Sequence, residues 1–122
     1  MIDINLKKLV ENHPLALATI SDDGTPHCIA VAFVKVIDTD KLLITDNYMG
    51  TTAKNIQRDN SVALAVWNKD WEENCCGFEL LGNAEYFSSG EWLDKVKAFP
   101  ENKDYPAKGA ILVTVKNTKK LA

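Results

Sequence analysis

A chain of 122 residues is long enough for one hydrophobic core and too short for two, so a single domain over residues 1–122 is expected. Its 46% hydrophobic and 25% charged content is that of an ordinary soluble globular protein. The net charge of −3 argues against a nucleic-acid binder that works by neutralising many phosphates, but leaves room for a pocket that takes one. No apolar run approaches the roughly 20 residues of a membrane-spanning helix. The opening MIDINLKKLVENH mixes charge with apolar residues at helical spacing, unlike a secretory leader, so the expected setting is the cytoplasm.

Taken in chain order, Asp3 is a plausible N-cap, and Ile4, Leu6, Leu9 and Val10 fall close to one face of a short helix. That helix must stop near His13, because Pro14 disfavours helical geometry in the residue before it. LALATIS (15–21) reads as a strand, DDGTP (22–26) as a turn, and HCIAVAFVKVI (27–37) as one longer antiparallel strand. DTDK turns the chain into a strand at 42–45, and residues from Thr51 onward read as a helix. SVALAVWN (61–68) and GFELLGNAEYFSS (77–89) are the next strands, with Gly82 where a barrel strand would bend sharply. GEWLDKVKAF is a helix stopped by Pro100, ENKDYPAKG is irregular, and AILVTVKN (110–117) is the last strand. Six strands with short links and few helices predict a mainly β fold, a small antiparallel barrel with peripheral helices.

Two of these strands are apolar on both faces. The second sets His27, Ile29, Val31, Phe33 and Lys35 against Cys28, Ala30, Ala32, Val34 and Val36. The fourth sets Val62, Leu64 and Val66 against Ala63, Ala65 and Trp67. Strands of this kind are covered on both sides, and for so short a chain the expected cover is a second copy, as a two-fold homodimer. Cys28, Cys75 and Cys76 lack the spacing of a redox or zinc motif and, with His13 and His27 far apart, no metal site is expected.

The junction LLITDNYMGTTAKNIQRD carries the chemistry. A strand breaks at residues 46–50, and Thr51 and Thr52 open a helix. The first turn of a helix holds unpaired N–H groups and partial positive charge, which together suit a phosphate. Gly50 would let the backbone approach closely, and the two hydroxyls can donate to phosphate oxygens. The competing reading is an ordinary N-cap. No Walker pattern is present.

Around this junction the sequence resembles the FMN-binding split-barrel family related to pyridoxamine 5′-phosphate oxidase. The resemblance is carried by the ATI-DDG-P hairpin, the DN-MG-T--NI-RD segment and the strand GFELLGNAEYF, and it extends over nearly the whole chain. It implies a six-stranded split barrel, homodimeric, with FMN held non-covalently in two clefts at the subunit interface. It implies that the phosphate sits against Thr51 and Thr52, after Met49 and Gly50. The ring and ribityl chain would lie along Ala30, Val31, Ala32 and Phe33 and the end of the next strand, at Thr45, Asp46 and Asn47. Asn55 falls at a motif position, with an exposed helical Asn as the alternative. Many relatives place Lys or Arg where this chain has Thr51; Lys35, Lys54 and Arg58 are the candidate substitutes, Lys35 first because strand alternation turns it inward. Trp67, Leu121 and Ala122 are the positions a partner subunit would bring to the ring, with plain packing the alternative for Trp67. Tyr48 and Met49 form a wall of the cleft or a loop over it, while His27, just after a turn, is read as solvent-facing.

Three functions follow from these readings. The first is an FMN-dependent oxidoreductase acting on a small molecule. The second is an electron carrier serving a redox partner, and the third a relative that has lost its flavin. No Ser-His-Asp or Cys-His pair suggests nucleophilic catalysis, and no catalytic residue is assigned. The wider superfamily also takes haem or a deazaflavin. A nucleic-acid-binding barrel is disfavoured by 8% aromatic content and negative charge.

Overall fold

A computed structural model of the chain describes residues 1–121; Ala122 lies outside the described residues. Asp3 caps the first helix, α1 (Ile4–Asn12), its carboxylate accepting the Leu6 N–H at 2.8 Å, and Leu6, Leu9 and Val10 are buried. Strands β1 (Leu15–Ile20), β2 (Pro26–Val31), β3 (Val34–Asp38) and β4 (Lys41–Asp46) follow, then α2 (Thr51–Arg58), β5 (Ser61–Trp67) and β6 (Gly77–Phe87). α3 (Glu91–Ala98), a 3-10 turn at Pro100–Asn102 and β7 (Gly109–Lys120) complete the chain.

The strands form one antiparallel sheet in the order β2-β1-β5-β6-β7-β4-β3. Its two edge strands, β2 and β3, are consecutive in the chain and separated only by Ala32 and Phe33, so the sheet must curl until its edges meet. The result is a barrel split between them. Alternate side chains of the strands fill the interior, among them Leu17, Leu42, Ile44, Leu64, Leu80 and Val113, with Leu9 and Val10 of α1 and Ile56 of α2 packed in. Fully burying each Leu stabilises the fold by about 1.5–3 kcal/mol. A second cluster lies outside the barrel, where Leu93 and Val96 of α3 cover Leu43, Ala110 and Leu112. No helix among the described residues is long and apolar enough to cross a membrane.

The seventh strand corrects the single strand expected over 27–37. β2 pairs with β1 and β3 with β4, so the chain changes partner at Ala32–Phe33. Val31 and Val34 are both buried, which shifts the alternation by one residue across the corner. Lys35 therefore points away from the interior, not into it as unbroken alternation would have it. Glu11 of α1 accepts the Val36 N–H at 2.8 Å, tying down the β3 edge.

The outer face of β2, β1 and β5 carries small side chains. There Ala16 is registered with Ala30 and Ala65, and Ala18 with Cys28 and Ala63. These small residues are exposed or half-buried, and Trp67 at the end of the row is exposed.

Candidate functional site

The end of β4 is held by one carboxylate. Asp46 is completely buried; its Oδ1 accepts the Met49 N–H at 2.7 Å and its Oδ2 accepts the Tyr86 O–H at 2.6 Å. Lys108 Nζ stands 4.0 Å from Oδ2 and donates to the Met49 carbonyl at 2.6 Å. Asn47 Oδ1 accepts the Ala107 N–H at 2.9 Å, and Lys108 N–H bonds the Asp46 carbonyl at 2.9 Å. Both ends of the loop at 47–50 are thereby fixed to the segment that enters β7.

Burial, and then the bond to Asp46, hold the Tyr86 phenol well above the ordinary tyrosine range. The native state keeps that proton while the unfolded chain releases it near pH 10, so its stabilising contribution is complete below about pH 10 and declines above it. Stability is expected to fall by up to about 1.4 kcal/mol per pH unit from this one group. Chemical denaturation of wild type and Tyr86→Phe between about pH 9 and 11 checks it: the extra slope should vanish in the variant.

The loop delivers the chain into α2 with no side-chain cap. Gly50 occupies the N-cap position without a capping hydrogen bond, and Thr51 and Thr52 are the first two helical residues, not the cap. The first intrahelical bond runs from Lys54 N–H to the Gly50 carbonyl at 3.3 Å, so among the described residues the N–H groups of Thr51, Thr52 and Ala53 have no partner. Thr51 is exposed and Thr52 is buried. Asn55 is buried, and clamps α2 to β1 by donating to Thr19 Oγ1 at 3.0 Å while accepting from Arg58 Nη1 at 3.4 Å. Arg58 also donates to the Ile20 carbonyl.

A cleft of about 450 Å³ opens between this helix start and β2, within the range of small-molecule sites. Ala30, Val31, Ala32, Phe33, Thr45, Asn47, Met49, Gly50, Thr51 and Thr52, all singled out from the sequence, line it together. Tyr48, read with Met49 as a wall of the cleft or a loop over it, also lines it, and Ile29 and His27 complete the lining. Ile29 and His27 were legible as sharing the parity of Val31 on β2, but the turn before His27 masked that signal. One wall is apolar, the other is rich in donors, and among the described residues no carboxylate and no lysine or arginine lines the cleft.

Five other candidates lie elsewhere. Asp46 is engaged by the loop and Tyr86, and Asn55 by β1. Lys35 pairs with Glu101 at 2.6 Å, lies 5.8 Å from the centre of the Phe99 ring, and holds the Glu101 carboxyl below its usual range through that hydrogen bond. It lines a neighbouring groove with Glu11 and His13 that shares Ala32 and Phe33 with the cleft. Trp67 and Leu121 flank Gly77, whose carbonyl accepts the Leu121 N–H at 2.8 Å, in a separate apolar groove with Trp71.

A profile of the family described as pyridoxamine 5′-phosphate oxidase matches residues 2–121. An uncharacterized protein of Methanocaldococcus jannaschii is 35% identical over 113 residues, spanning 88% of this chain and 72% of its own. Among solved structures, HupZ of Group A Streptococcus superposes with a TM-score of 0.89 at 21% identity, over 99% of this chain and 94% of that one. An FMN-binding protein of Syntrophomonas wolfei gives 0.77 at 12% identity, over 95% and 83% of the two chains. At these identities the structural likeness is one of fold.

Proposed function

The chain belongs to the pyridoxamine 5′-phosphate oxidase family, and we propose that it binds FMN in the cleft as a homodimer and acts as a flavin-dependent oxidoreductase on a small molecule. One observation carries the reading. A cleft of ligand size ends on a helix start that no side chain caps, beside two threonines and, among the described residues, with no carboxylate in its lining. The residues fit the group. The free N–H groups of the first turn and the hydroxyls of Thr51 and Thr52 would hold the phosphate, and residues 30–33 would flank the ring. Asn47, its oxygen engaged by Ala107, has its amide hydrogens left to donate. The fold shared with the FMN-binding protein of Syntrophomonas wolfei supports the choice of flavin. FMN, when bound, supplies the electron-transfer chemistry, and the protein supplies position and access.

The uncovered row of Ala16, Ala18, Ala63 and Ala65 continues through Ala30 into the cleft wall, so a second copy seated there would also close the cleft. His27 and Tyr48 are the titratable residues in the lining. That sparse acid–base equipment also favours a second reading, an electron carrier. A cytoplasmic setting suits three unpaired thiols, two of them exposed.

Titration of flavin-free protein with FMN and with riboflavin tests the phosphate assignment. Thr52→Val, nearly isosteric, should weaken FMN about tenfold by removing one charge-assisted hydrogen bond and leave riboflavin unchanged. Thr51→Lys should tighten FMN by supplying a cation beside the dianion. Equal loss for both ligands would remove the phosphate from this helix.

A further inference from the structure

Asn102 sits in the 3-10 turn after α3, buried, 57 residues from the β4 strand end it touches. Its side-chain nitrogen donates to the Val96 carbonyl at 2.7 Å and to Thr45 Oγ1 at 2.8 Å. A backbone carbonyl can only accept, so the amide must present its nitrogen, and not its oxygen, to this pair. With one hydrogen on each partner, the Thr45 oxygen is an acceptor in this contact. A hydroxyl that accepts still has its own proton to give. Among the described residues no acceptor takes that proton, and Thr45 lines the cleft.

Asn102 Oδ1 adds a second, independent observation, because it is buried without a partner among the described residues. An orphaned acceptor of this kind destabilises the fold, which an apolar side chain at the position would not. The feature that sets the amide apart from an apolar residue is its donor pair, directed at Val96 and Thr45.

We infer that Asn102 is a positioning residue that fixes the Thr45 hydroxyl as a hydrogen-bond donor into the cleft, toward an acceptor atom, carbonyl oxygen or imine nitrogen, of the bound flavin ring. The inference rests on the FMN reading above. It assigns a polar contact to the ring end of the cleft, whereas Thr51 and Thr52 serve the phosphate end. A donor at a ring acceptor stabilises the charge that builds up on reduction, so the contact also raises the flavin's reduction potential.

A double-mutant cycle on the full chain tests it, read by FMN dissociation constant and flavin midpoint potential. Thr45→Val should weaken FMN about fivefold, the net worth of one hydrogen bond, and lower the potential. Asn102→Asp presents an acceptor to the Thr45 hydroxyl and turns its proton away from the cleft, so it should have a similar effect alone. In the Thr45→Val background it should add almost nothing. Asn102→Ala, which frees the hydroxyl to rotate, gives the same comparison should the aspartate variant not fold. Wild type that binds FMN while the two substitutions act additively, or leave the potential unmoved, overturns the inference and spares the FMN assignment. Wild type that takes up no FMN overturns both.

Discussion

Asp46→Ala is expected to lose about 3 kcal/mol of stability and to abolish tight FMN binding together. The carboxylate is completely buried and accepts the Met49 N–H and the Tyr86 O–H. Hydrogen bonds to a charged group are worth about 1.5–3 kcal/mol each, and truncation leaves both donors unpaired. The more exposed Lys108, 4.0 Å away, adds little. The loss of binding follows because the 47–50 loop sets where α2 begins, and a first turn displaced by an ångström no longer presents its N–H groups to a phosphate. Asp46→Asn, whose one oxygen can serve only one of the two donors, should fall between wild type and Asp46→Ala. Urea denaturation gives the first quantity, read from the midpoint at unchanged slope, and FMN titration the second. A loss below about 1 kcal/mol would mean that the loop is held by Asn47 and Lys108 instead.

Gly82→Ala is expected to be at least as damaging, with no help from the site. β6 and β7 shift register between Leu81 and Gly82, and a Cβ built on Gly82 would lie 2.1 Å from the Thr114 carbonyl oxygen. The obstacle is backbone of the neighbouring strand, so relief requires two central strands to separate. A loss of about 3 kcal/mol or more, or failure to accumulate folded protein, is the expected result. Gly50→Ala is the informative control, because nothing lies within 4 Å of a Cβ there; its stability should stay within about 0.5 kcal/mol of wild type. If both substitutions were tolerated, the close approach at the bulge would be wrong.

What was legible in the sequence was what local rules control. The Asp3 cap, the stop at Pro14, the strand at β1, the two faces of β5, the irregularity at Gly82 and the junction at 46–52 each rest on residues close together in the chain. The corner at Ala32–Phe33 was not legible, since apolar residues on both sides of it hide a one-residue change of parity, and Lys35 was turned inward for that reason. Contacts between distant residues were equally hidden. Lys35 finds Glu101, Asp46 finds Tyr86, and Asn55 finds Thr19 only once the barrel has closed. The resemblance located the loop and strand of the cleft, but Asn102 lies in a segment read as irregular and enters the site through the fold alone.

The visible spectrum of the protein, purified without added flavin and taken across its elution peak, bears most directly on the central proposal. A flavin spectrum on a dimer-sized species, with one FMN per chain released on denaturation, is the predicted result. A colourless protein that takes up no added FMN would contradict it.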